Sequence, residues 1–112
     1  MSLPRLTRQL TLEKPQRSDD GSGGYTIVWT TAGSHFAEVK TGTGRIATGE
    51  VAALSRGTFR VIIRAAAVGS DARPEPGDRF REGTVSYRVD LVTPFDRGGL
   101  YLTCFVVAEQ VQ

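Results

Sequence analysis

A chain of 112 residues, 39% hydrophobic and 23% charged, has material for one hydrophobic core and not two. Its net charge of +2, with neither half more than two charges from neutral, excludes a histone-like polycation. One cysteine and one histidine exclude an internal disulfide and a structural zinc site, and no apolar run approaches the roughly 20 residues of a membrane helix.

Leu6, Arg8, Leu10 and Leu12 share one parity, which predicts a first strand stopped at Lys14-Pro15, where proline removes a ladder donor. Residues 15–24 combine turn formers and charges with no apolar anchor, and are expected to form a solvated, flexible loop. Tyr25 to Thr31 is β-branched and aromatic, with Tyr25, Ile27 and Trp29 on one face. After a break at Ala32-Gly33-Ser34, His35 to Lys40 is expected to return as a hairpin partner, with Trp29 and Phe36 or Val39 in the core.

Gly42, Gly44, Gly49 and Gly57 punctuate a long insertion over 42–57 that has no period of two. Within it, Glu50 to Arg56 has the length of about two helical turns, with Thr48 or Gly49 as cap and Gly57 as stop, so one short helix fits there. Phe59, Val61 and Ile63 then alternate with Arg60, Ile62 and Arg64, a strand with core on one face and arginine on the other. Residues 69–78 read as a flexible Pro- and Gly-rich connection. Arg79 to Glu82, Gly83 and Thr84 to Val92 predict a tight hairpin with Val85, Tyr87, Val89 and Leu91 inward. Leu100 to Ala108 is apolar on both parities, as in a strand covered on both faces. Seven short strands indicate an all-β domain spanning residues 1–112, a small antiparallel barrel or sandwich with long loops.

Reactive chemistry is sparse. Gly44 to Gly49 has the G-x-x-x-x-G frame of a phosphate loop, but Glu50 stands where a phosphate-neutralising lysine is required. Cys104, within an apolar strand, is expected to be a protonated, inert core thiol. His35 has no nucleophile setting around it and reads as a polar residue at a hairpin end, and Asp19-Asp20-Gly21 lacks the rest of a calcium ladder. No catalytic, cofactor-binding or metal-ligating residue is assigned, and neither enzymatic activity nor a cofactor is expected. Twelve of the fourteen basic residues are arginine, which suits bidentate contacts at interfaces. Arg60, Ile62, Arg64 and Arg88 are therefore the candidate interface, on a face expected to be open to nucleic acid or to acidic side chains of a neighbouring subunit.

The order of these elements resembles the phage head-tail joining family, the head closure or stopper proteins of siphophage-like connectors. The resemblance rests on a strand ending at Pro15, the Asp19-Asp20-Gly21 loop, the Tyr25 to Trp29 and Phe36 to Val39 strands, and the Gly-rich insertion. It continues through Phe59 to Arg64, the Arg81 to Val89 hairpin and Leu100 to Cys104. It implies a barrel that assembles as a homo-oligomeric ring between a portal-bound adaptor and a tail terminator or tail tube, closing the channel for packaged double-stranded DNA and docking the tail. It also implies that the insertion projects towards the channel, making Gly42, Thr43, Gly44, Arg45, Ile46, Thr48, Gly49 and Arg56 the candidate channel loop. The Ala-, Arg- and Gly-rich composition without asparagine fits a GC-rich bacterium carrying a prophage or gene transfer agent. The expected location is the bacterial cytoplasm during assembly and then the particle's head-tail junction, with no membrane partner. The competing reading is a small β-barrel nucleic-acid-binding module using Arg60, Arg64 and Arg88, which predicts tight, steeply salt-dependent binding to free nucleic acid. A small hydrolase or ligand-binding barrel requires convergent polar groups that the sequence does not display.

Overall fold

Alternating apolar residues persist in strand after strand of the computed structural model, which describes residues 3–41 and 57–110. The strands are β1 (Arg8–Asp19), β2 (Tyr25–Thr41), β3 (Thr58–Arg64), β4 (Arg79–Glu82), β5 (Val85–Pro94) and β6 (Tyr101–Gln110). They pair antiparallel in the order β1-β2-β3-β6-β5-β4, and β4 returns to β1 through Thr11 to Glu13, which closes a barrel. Closure removes the exposed sheet edges that a six-stranded open sheet would leave. Inside lie alternate residues from every strand, including Leu10, Leu12, Val61, Ile63, Phe80 and Cys104, each fully buried. Burying one such aliphatic or aromatic side chain contributes about 1.5–3 kcal/mol, so this interior is the main source of stability.

Several expectations from the sequence are corrected. Six strands are present among the described residues rather than seven, because Tyr25–Thr41 is one strand and not a hairpin. A bulge between Leu12 and Glu13 absorbs the irregularity, with Gly33 at φ 141° opposite Leu12, a conformation that favours glycine. Residues 15–19 are not loop but the second half of β1, paired residue for residue with 25–29. Phe36 consequently points out, 57% exposed, between inward-facing His35 and Ala37; Val39 does pack on the core. Trp29 lies across from Pro15, away from the barrel interior. A second bulge between Val89 and Leu91 inserts Asp90, so Val89 and Val92 face in while Leu91 turns outward, 51% exposed. The expected short helix at 50–56 lies outside the described residues.

The 69–78 connection is tied down rather than loose. Lys14 Nζ donates to Asp78 Oδ2 at 2.6 Å and to the Arg73 carbonyl at 3.1 Å, and Arg73 Nη1 donates to the Ala66 carbonyl at 3.0 Å. Pro74 and Asp78 are buried, and the Gly77 and Val89 amides bond the Val89 and Asp78 carbonyls. The β4–β5 turn is the tight hairpin expected, with Gly83 at φ 62°.

Burial pushes the Cys104 thiol up to about 12, leaving almost no thiolate at neutral pH. The native protein is accordingly expected to react with a thiol reagent such as dithionitrobenzoate only when unfolded. Labelling at the rate of a free cysteine under native conditions would contradict that assignment.

Candidate assembly surfaces

Two outer surfaces carry the exposed chemistry of the described residues. The first is an arm. β1 pairs with β4 only through Thr11 to Glu13, and β2 pairs with β3 only from Ala37 onward. Beyond those limits, residues 14–19 and 25–30 pair solely with each other, forming a two-stranded ribbon roughly 20 Å long at about 3.3 Å per residue. Its tip is closed by Asp20, whose Oδ1 accepts hydrogen bonds from the Ser22 and Gly24 amides at 2.8 and 3.1 Å. That is an Asx-type turn, which accounts for the acidic-Gly motif without a metal.

The arm's base is clamped. Glu13, 9% exposed, accepts from Arg79 Nε at 2.6 Å, and the Arg79 guanidinium sits 4.2 Å from the centroid of the Trp29 ring. A paired charge and a cation–π contact thus fix the root of the ribbon against β4. Further out, Pro15, Arg17 and Asp19 lie opposite Trp29, Ile27 and Tyr25 on one ribbon face, where Ile27 is 48% and Tyr25 52% exposed. Sequence reading grouped these three apolar residues on one face correctly but placed Trp29 in the core. Pro15 to Asp19 carries no strand signal of its own; it becomes a strand by pairing with Tyr25 to Trp29 across the Asp20 turn.

The second surface is the outer face of β2, β3, β6 and β5, and it contains the four candidate interface residues, three on β3 and Arg88 on β5. Lys40, Arg60, Phe105 and Leu91 form one cross-strand row. Arg60 is half-buried and its Nε has no hydrogen-bond partner among the described residues. Arg64 is exposed, its guanidinium 5.9 Å from the Tyr101 ring centroid. In the next row, Ile62 lies between Glu38 and Thr103, on the predicted face, but it is only 1% exposed. The segment before β1 leans onto this face: the Arg5 amide donates to Glu38 Oε1, and Leu3, Pro4 and Arg5 share with Glu38, Lys40 and Phe95 the walls of a cleft of about 300 Å3. The expectation of an open face therefore fails at Ile62 while holding at Arg64. Arg88 is exposed at the far edge of the sheet face, bonded to Asp90 at 3.2 Å and Glu109 at 3.3 Å. The residues of the candidate channel loop, Gly42 to Gly49 and Arg56, lie outside the described residues.

At one end of the barrel, His35 is an inward-facing residue rather than a hairpin tip. Its Nε2 bonds the Ala72 carbonyl at 2.7 Å and its ring meets Phe80 edge-on. Burial lowers its pKa below the ordinary value, favouring neutral imidazole. Between β1 and β4, Arg8 bonds Glu82 and holds that carboxyl below its usual range. His35 ties β2 to the 69–78 connection, and Arg8 ties β1 to β4.

Against known proteins, the family model for the phage head completion protein matches residues 1–109. Among solved structures, a chain described as "Virion of native gene transfer agent (GTA) particle" is 40% identical, with 97% of this chain and 98% of that chain covered at a TM-score of 0.75. Comparison with curated proteins gives no match. The family match runs almost end to end, and the chain therefore belongs to the phage head completion protein family.

Proposed function

We propose that this protein is a head closure subunit of a phage-like particle, copies of which form a ring between the portal-bound adaptor and the tail terminator or tail tube. The ring extends and closes the channel for packaged DNA and offers the docking surface for the tail. The observation that carries this reading is the 40% identity, over 97% of the chain, to a chain of a gene transfer agent virion. Assembly takes place in the bacterial cytoplasm and the finished subunit resides at the head-tail junction. Cyclic arrays let many modest contacts act together, so the isolated chain need not associate strongly in dilute solution.

In this reading the segment 42–57 faces the channel. Thr43 and Thr48 are small and polar, and Arg45 and Arg56 carry charges that can meet DNA phosphates without reading sequence. The ion pairs of Arg88 with Asp90 and Glu109 also count against a free nucleic-acid groove, since they neutralise one of the three cations such a groove would use. Deleting residues 43–49 is expected to leave the barrel folded while filled heads lose DNA, measured as DNase-sensitive genome in purified particles. Full DNA retention by the deletion variant would remove the gating role.

A further inference from the structure

The arm and the β5–β6 face are different patches of one chain with matching chemistry. On the arm, the exposed apolar pair Tyr25 and Ile27 has the Asp19 carboxylate beside it at the outer end. On the barrel, the exposed apolar pair Phe105 and Leu91 has the Arg60 side chain beside it at one end of the row. The two sets lie on strands that do not pair with each other; the Arg17 guanidinium sits over the Tyr25 ring, 3.9 Å from its centroid.

We propose that the arm of one copy docks, through its Tyr25–Ile27 face, on the Phe105–Leu91 row of the next copy, with Asp19 directed to Arg60. This inference rests on the ring reading above and names the contact that builds the ring. Two distinct patches make a heterologous contact, in which every copy gives an arm and receives one, and a fixed rotation between neighbours closes such a series into a ring. The Glu13–Arg79–Trp29 clamp favours this arrangement, because a ribbon held at its base loses little freedom on docking. Apolar side chains that are half exposed on a ribbon lose water on both partners at the same step, and the Asp19–Arg60 pairing sets polarity and register rather than strength.

The test uses assembled particles. A chain carrying both Ile27→Cys and Leu91→Cys is incorporated and treated with a short bismaleimide; the native Cys104 is buried and stays silent. Tyr25→Cys with Phe105→Cys is the second pair, and each of the four single variants is the control. The expected result is a ladder of covalent multimers beyond the dimer for a double variant, and no ladder for any single one, because only a chain with both sites links to two neighbours. Particles that contain the double variants yet yield only monomer, or adducts to a different virion protein, overturn the arm contact. DNA retention and tail joining are scored in the same particles. If these remain normal without a ladder, the arm contact fails while the head closure reading stands; if the chain is dispensable for both, the head closure reading itself fails.

Discussion

Phe80→Ala is expected to destabilise the isolated barrel by about 3–5 kcal/mol, the usual range for removing a fully buried aromatic ring. Phe80 has no exposed surface and sits on β4, the four-residue strand that joins β5 to β1 and so closes the sheet. Its Cα partners are Leu12 on one side and Tyr87 on the other, and its ring receives the edge of His35. Truncation leaves a cavity where three strands meet, β1, β4 and β5. A domain of this size has only about 5–15 kcal/mol of stability in total, so the loss is a large fraction of it. Urea unfolding followed by Trp29 fluorescence measures the change, and a loss below about 1 kcal/mol would show that the ring is not the closing wedge described here.

Ile62→Ser is expected to cost about 2–4 kcal/mol, from the lost apolar burial together with a hydroxyl placed where water does not reach. Ile62 is 1% exposed although its parity assigns it to the outer face, with Glu38 and Thr103 as its cross-strand partners. Arg64→Ala, on the same face of the same strand but exposed, is expected to change stability by less than about 0.5 kcal/mol. The pair of variants separates the two halves of this face by denaturant midpoint alone. Equal tolerance of both substitutions would mean that the face is as open at Ile62 as it is at Arg64.

Period-two alternation made the barrel wall legible in the sequence wherever a strand runs without interruption. Val61 and Ile63 on β3, Tyr87 and Val89 on β5, and Cys104 on β6 all occupy the buried side expected of them. Alternation failed where a bulge added a residue: Leu91 continues the parity of Val89 in sequence, but Asp90 breaks the count and turns Leu91 outward. It failed differently for Trp29. Tyr25 to Thr31 has the composition of a half-buried strand, yet it lies beyond the barrel, because β3 pairs with β2 no earlier than Ala37. Pairing range depends on distant strands, and no local pattern encodes it. Ile62 illustrates a third limit, since its parity assigns it to the outer face of β3 and it is buried there nonetheless. The polar connection 69–78 looked loose by composition; its order comes from the buried Asp78 and the reach of Lys14.

For the candidate surfaces, the arginine-bearing strand was visible from sequence. The arm was not, since Pro15 to Asp19 carries no apolar signal of its own and becomes a strand only against Tyr25 to Trp29. An exposed hairpin held by its partner strand has little to distinguish it locally from a solvated loop.

Imaging of particles made with and without this chain tests the structural role most directly. With the chain present, density for its barrel is expected as a ring at the head-tail junction, on full heads bearing tails; without it, heads should be tailless and depleted of DNA. Particles that lack the chain but still carry tails and keep their DNA would contradict the account.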